Sequence, residues 1–150
     1  FREEVFPVCS PAYLAERKLA PGQEQNVPLA AEDIATLRLL HLRSNPPQRW
    51  FDWSDWFTGV GIQPPVRHQE LTFNNYQMVL QAVLLGQGVG LGWAPLVNDL
   101  IDQGALVRLS EKPLFSSRGY HLVTPPGEQE KGYAHIIATW LKAELQLKSQ

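Results

Sequence analysis

One stretch of the sequence, residues 70–97, constrains the fold more than any other. Within it, residues 76–85 are apolar almost throughout, which predicts a helix that is buried on nearly every side. Either Asn74 or Asn75 is placed to cap the start of this helix, because a side-chain oxygen there can accept a bond from a free backbone N–H group. Gly86 follows the last apolar residue, at the position where a helix often ends in a left-handed conformation.

A short strand and a second helix complete the stretch. Val89, Leu91 and Trp93 alternate with glycines, as expected of a strand, and Pro95 stands where a helix tolerates proline in its first turn. This order places both helix starts at one edge of a sheet, with unsatisfied N–H groups and the positive ends of their dipoles. We therefore expect a ligand at that edge.

The glycines at the centre of the stretch resemble a dinucleotide-binding fingerprint only superficially. That motif needs a strand before the glycines and a helix after them, whereas here a helix precedes and a strand follows. The pattern favours a helix end followed by a strand whose bare faces allow close packing.

The composition is that of an ordinary soluble domain. Of 150 residues, 44% are hydrophobic and 19% charged, which is enough apolar material for one core and indicates no disorder. The net charge of -2 argues against these residues binding a nucleic-acid backbone by themselves. A single cysteine, Cys9, excludes an internal disulfide. The first residues contain neither a signal peptide nor a start methionine, so we expect a piece of a longer protein.

Short strands alternate with helical patterns along the rest of the chain. We predict strands at residues 4–9, 37–42, 66–71, 106–109 and 119–124, with helices after Ser10, at 31–34, at 50–60, after Pro95 and near the C-terminus. The last helix carries Ile136, Ile137 and Trp140 on one apolar stripe. The alternation predicts an α/β fold with a mixed, mainly parallel sheet flanked by helices.

Three of the five tryptophans fall in the helix predicted at residues 50–60. Trp50, Trp53 and Trp56 recur at helical spacing. In one interpretation Trp53 belongs to a packed face and the other two flank it. In the other, the rings form an aromatic box that, with Asp52 or Asp55 nearby, holds a cationic group such as a quaternary ammonium.

Several motifs taken together resemble the C-terminal part of LysR-type transcriptional regulators. They are VFPVCSPAYL, the aromatic WFDWSDWF, the stretch NNYQMVLQAVLLGQGVGLGWAPLV, and GALVRL followed by GYHLVTPP. The resemblance covers essentially the whole chain. It is closest to the subgroup similar to the glycine-cleavage activator, in which a WxxW pair after the second strand is common.

The resemblance implies an effector-binding domain like a type 2 periplasmic binding protein, with two α/β lobes and a small-molecule cleft between them. Residues 6–109 would form the second lobe, residues 110–118 a crossing connector, and residues 119–150 a strand and a helix that return to the first lobe. Most of the first lobe and the family's N-terminal winged helix-turn-helix would lie outside the chain. The stripe of the last helix would then be exposed or paired with another chain.

The resemblance also implies which residues line the cleft of this lobe. They are Ser10 at the first helix start, Thr72, Phe73 and Asn74 at the second, and Trp93 at the third. The aromatic box would add Trp50 and Trp53. For Ser10 and Asn74 the alternative is a cap only, and for Phe73 and Trp93 it is a core position only.

We therefore predict an effector-sensing module of a bacterial, cytoplasmic transcription regulator. It would bind a small metabolite, zwitterionic or carboxylate, without cofactor or metal. It would self-associate as a homodimer, reach DNA only through a missing domain, and contact no membrane. A solute-binding protein of a transport system is the alternative with the same fold. An enzyme is disfavoured, because the four histidines show no metal-ligand spacing and no GxSxG motif or carboxylate pair occurs.

Overall fold

The structure is a computed structural model that describes residues 2–16, 28–43, 50–65, 71–119, 123 and 133–147. The strands predicted at residues 66–71 and 119–124 lie largely outside the described residues. The chain divides into two units, one of residues 2–118 and the other of residue 1 with residues 119–150. Each is described by itself.

Helices and strands are interspersed along the described residues, which confirms the predicted α/β class. The helices are α1 (Pro11–Glu16), α2 (Ala31–Ile34), α3 (Trp53–Gly59), α4 (Tyr76–Leu84), α5 (Ala94–Asp102) and α6 (Tyr133–Leu147). The strands are β1 (Arg2–Cys9), β2 (Leu40–Leu42), β3 (Leu71–Phe73), β4 (Gly90–Trp93), β5 (Val107–Arg108) and β6 (Leu114–Gly119). Residues 114–118 of the predicted crossing connector, residues 110–118, thus belong to a strand.

The sheet of the larger unit is built around β1. This strand pairs antiparallel with β4, so that Val5 lies opposite Trp93, and antiparallel with β5; it also pairs with β6. β2 and β3 form a separate parallel pair, and a parallel bridge between Leu39 and Val89 joins it to the chain just before β4. The pairing is mixed, as predicted: β2 and β3 and the Leu39–Val89 bridge are parallel, whereas β1 is antiparallel to β4 and β5.

α4 begins and ends where the sequence predicts, but it is less buried. Asn75 caps it by accepting a bond from the Gln77 N–H at 2.7 Å, and Gly86 follows it with a φ of 72°. Val83 is buried, as is Val79, whereas Met78 is 53% and Leu85 73% exposed. The prediction of a helix buried on nearly every side is therefore wrong, because only one face of α4 packs on the sheet.

The aromatic helix α3 supplies much of the core. Trp53, Trp56 and Phe57 are buried, and their ring centroids lie 5.1 to 6.0 Å apart. The predicted packed face is confirmed for Trp53. Trp56, predicted to flank that face, is fully buried, and its Nε1–H donates to the Lys112 carbonyl at 3.3 Å.

α6 is amphipathic in sequence, but its apolar stripe is exposed to solvent. Ile136, Ile137 and Trp140 are each more than half exposed, as predicted. Among the described residues no helix, α6 included, is both long and apolar enough to cross a membrane.

Close packing around β4 depends on glycine, and Gly88 is the most restricted position. A Cβ atom there would lie 2.5 Å from the Arg38 carbonyl oxygen, which is backbone and cannot rotate away. We expect Gly88→Ala to lower the free energy of unfolding by about 1–3 kcal/mol, measured by urea denaturation. The exposed neighbour Gln87 is the control, since Gln87→Ala should change stability by less than about 0.5 kcal/mol. Equal stability of the two variants would contradict the close approach.

Candidate functional site

A concave space lined mainly by apolar and aromatic side chains lies beside the carboxyl ends of β2 and β4; we call it the aromatic pocket. Its cavity volume is about 20 Å³, room for about one water molecule. Its lining residues are Leu40, His41, Leu42, Phe51, Asp52, Trp53, Tyr76, Val79, Leu91 and Trp93. A mainly apolar lining with a few polar groups is typical of small-molecule sites.

An open depression of about 330 Å³ shares part of this lining; we call it the outer depression. It has His41, Leu42, Asp52 and Trp53 in common with the aromatic pocket, and it adds Leu39, Ser54, Phe57, Pro64, Pro65 and Thr72. The hydroxyl groups of Ser54 and Thr72 make it the more polar of the two spaces.

Trp93 lies at the centre of the aromatic contacts. Its ring packs edge to face against Trp50, with centroids 5.9 Å apart, and against Tyr76, with centroids 5.0 Å apart. The Trp93 backbone N–H also donates to the Tyr76 hydroxyl at 3.4 Å. Because Tyr76 begins α4 and Trp93 directly precedes α5, the two helix starts meet here, as the sequence predicts.

The two other tryptophans predicted for this site have different surroundings. Trp50 is 41% exposed, so part of its ring is open to a ligand. Trp53 is buried, and its Nε1–H donates to the Leu40 carbonyl at 2.9 Å. Trp53 therefore forms a wall of both spaces, while its polar atom fixes α3 to β2.

Asp52 sets the charge of the site. Its Oδ1 accepts from the Asp55 N–H at 2.9 Å, and the Asp55 carboxylate accepts from the Asp52 N–H at 3.1 Å, so the pair forms a capping box at the start of α3. Among the described residues that line the two spaces, Asp52 is the one carboxylate and none is Lys or Arg. The lining therefore favours positive over negative charge.

The structure does not bring Ser10 to this group. Because β1 and β4 are antiparallel, Val8 faces Gly90 and Val5 faces Trp93, which leaves Ser10 roughly 15 Å from Trp93 along the strands. Ser10 is buried, and its Oγ accepts from the Tyr13 N–H at 3.3 Å, at the start of α1. In this position it acts as a cap.

The residues predicted before α4 are divided among three environments. Thr72 is exposed and lines the outer depression. Phe73 is half-buried and packs against the core between α4 and β1. Asn74 is exposed, and Asn75 rather than Asn74 caps α4.

Sequence reasoning missed two residues, Tyr76 and Glu3. Tyr76 was considered only as part of an apolar helix. Glu3 is 5% exposed, and its carboxylate accepts from the Trp93 Nε1–H at 2.9 Å and from the Ser116 hydroxyl at 2.6 Å. One signal was available for Glu3, since it shares a face of β1 with the apolar Val5.

Neither thiol nor metal chemistry is evident at the described residues. Burial raises the pKa of the Cys9 thiol to about 12, so the nucleophilic thiolate is scarce near neutral pH. No group of three or more His, Cys, Asp and Glu side chains within the described residues could hold a metal ion.

The sequence matches that of a known family. The family model for the LysR substrate binding domain matches residues 1–146, so the chain belongs to that family. The glycine cleavage system transcriptional activator of Escherichia coli strain K12 is 30% identical over 145 residues, which are 96% of this chain and 43% of the relative. The chain thus spans less than half the length of this curated relative.

Solved structures agree on the fold. The AmpR effector binding domain from Citrobacter freundii superposes with a TM-score of 0.63 over 97% of this chain and 65% of that domain, at 20% identity. The effector domain of the transcriptional regulator AmpR of Pseudomonas aeruginosa superposes with a TM-score of 0.61 over 98% of this chain and 64% of that domain, at 17% identity. These likenesses support the periplasmic-binding-protein-like fold predicted from the sequence.

Asp52 has two roles that a pair of variants can separate. Asn caps a helix as well as Asp does, whereas Ala does not. We expect Asp52→Asn to keep the stability of the wild type and Asp52→Ala to lose about 1 kcal/mol of unfolding free energy, measured by urea denaturation. A loss of equal size in both variants would mean that the charge of Asp52, and not its cap, stabilises α3.

Proposed function

We propose that this chain is the effector-sensing part of a bacterial LysR-type transcriptional regulator that acts in the cytoplasm. Family membership and the curated relative, a transcriptional activator, support this role over that of a transport protein. DNA would be bound by a part of the regulator outside these 150 residues, which agrees with their net charge of -2.

The observation that carries the proposal is the meeting of two helix starts at an aromatic pocket. The outer depression adjoins this pocket and shares His41, Leu42, Asp52 and Trp53 with it, so a small molecule bound in the depression would contact α3, β2 and β3 of the larger unit. A ligand that binds one arrangement of these elements more tightly than another shifts the population toward it. That shift is the physical basis of sensing.

We further propose that the effector carries a positively charged nitrogen. The partly exposed ring of Trp50, which packs against Trp93 beside the pocket, offers a face for cation–π attraction, and the Asp52 carboxylate in the lining of both spaces adds a negative charge. The hydroxyl groups of Thr72 and Ser54 can donate to a carboxylate in the outer depression. A zwitterion with its ammonium end toward Asp52 and its carboxylate end toward Ser54 and Thr72 suits the outer depression.

Glycine betaine is a suitable probe for this ligand class. We expect it to bind, and we expect Trp50→Ala to weaken its affinity about two- to fivefold, the size of a cation–π contact at an exposed site. Asp52→Asn should weaken binding as well, although it leaves the cap in place. Isothermal titration calorimetry measures all three affinities.

The matched control is tert-butylacetate, which has the shape of glycine betaine with carbon in place of the charged nitrogen. Under the proposal it binds more weakly than glycine betaine to the wild type, and Asp52→Asn does not weaken its binding, because it has no positive charge for Asp52 to attract. Stronger binding of tert-butylacetate than of glycine betaine would exclude a cationic effector.

We propose in addition that the chain self-associates as a homodimer through α6. The exposed stripe of Ile136, Ile137 and Trp140 supports this, since large apolar patches on a surface usually mark an interface.

Light scattering tests the homodimer. We expect twice the mass of the chain for the wild type and a monomer for Ile137→Lys, because a charge in the stripe opposes its burial. Thr139→Lys adds the same charge at an exposed polar position of α6 and should remain a dimer. A monomeric wild type would refute this assembly.

A further inference from the structure

The carboxylate of Glu3 links three separate parts of the larger unit. It lies on β1, accepts from the Trp93 indole at the end of β4, and accepts from the Ser116 hydroxyl on β6. The two partners are 90 and 113 residues away in sequence. Strand register explains the first bond, because Val5 faces Trp93 and Glu3 is therefore its diagonal neighbour on the same face.

Burial makes this link stiff. Glu3 is 5% and Trp93 3% exposed, so water cannot readily replace either partner. Removing a donor from a buried acceptor costs the desolvation of that acceptor, which is larger than the net gain from an ordinary hydrogen bond. A movement of the Trp93 ring is therefore either opposed by its hydrogen bond to Glu3 or accompanied by a movement of the Glu3 carboxylate.

The link lies at the two places where the chain passes between its units. The boundaries fall between Phe1 and Arg2 and between Arg118 and Gly119. Glu3 and Ser116 stand two or three residues from these boundaries, on the paired strands β1 and β6. At its other end, the link reaches Trp93 in the wall of the aromatic pocket.

We infer that Glu3 is a positioning residue that couples the aromatic pocket to the strands connecting the two units. A ligand that moves or fixes the Trp93 ring changes the hydrogen bond to Glu3, and Glu3 changes its bond to Ser116. The inference rests on the proposed role of the pocket as the effector site. The link itself can be tested without any ligand.

The ligand-free test follows the Trp93 indole N–H by NMR in the 150-residue chain, with its resonance assigned by its loss in Trp93→Phe. We expect Ser116→Ala to shift this resonance, because Glu3 loses one donor and redistributes its acceptor strength toward the indole. Ser116→Thr keeps the hydroxyl and should restore the wild-type position. Ser110→Ala is the matched control, since the Ser110 Oγ accepts from the Lys112 N–H instead.

An indole resonance that stays at its wild-type position in Ser116→Ala overturns the coupling. Glu3→Gln provides a second variant, because the amide keeps one acceptor for the indole. We expect it to shift the Trp93 indole and to make that resonance insensitive to Ser116→Ala. A shift of equal size from Ser116→Ala in the wild type and in Glu3→Gln would also overturn it.

The second arm adds glycine betaine. We expect the Trp93 indole and the backbone amides of β6 to shift together in the wild type, and the indole alone to shift in Ser116→Ala. A wild type in which the indole responds and β6 does not contradicts the coupling. If neither responds, the proposed ligand class fails, and the ligand-free arm still decides whether Glu3 joins Trp93 to Ser116.

Discussion

The antiparallel ladder between β1 and β4 is the interaction on which the rest of the larger unit depends. It sets Trp93 opposite Val5, next to the carboxylate of Glu3, and it fixes where α5 begins. The helices α4 and α5 pack closely on this ladder because Gly90 and Gly92 have no side chains. A Cβ at Gly90 would lie 2.7 Å from a methyl group of Val83, on the helix α4 that packs there.

The site follows from this ladder. β4 ends at Trp93, α4 begins at Tyr76, and the rings of the two residues meet edge to face. The chain before α3 then places Trp50 against Trp93 and Asp52 in the pocket wall. Aromatic rings are stiff and bury large areas, so Tyr76 and Trp93 form a stable wall on the core cluster to which Trp93 belongs.

The sequence predicts well the features that local chemistry decides. Asn75 and Gly86 bound α4 because one supplies a side-chain acceptor and the other tolerates a positive φ, and both effects act within a few residues. The sequence predicts poorly the features that depend on strand direction. A pattern of alternation cannot tell that β1 runs antiparallel to β4, and this direction places Ser10, which the resemblance assigns to the cleft, away from Trp93. The bonds of Glu3 span 90 and 113 residues, and no local pattern reports them.

The most direct test of this account is to locate where small metabolites bind. A set of zwitterionic, cationic and anionic metabolites can be titrated into the chain while the backbone amide and indole N–H resonances are followed by NMR. We predict that the first metabolite to bind carries a positive nitrogen and shifts the indole resonances of Trp50 and Trp93. Binding that shifts the amides of Ser10 and Tyr13 instead, with the two indoles unchanged, would contradict it.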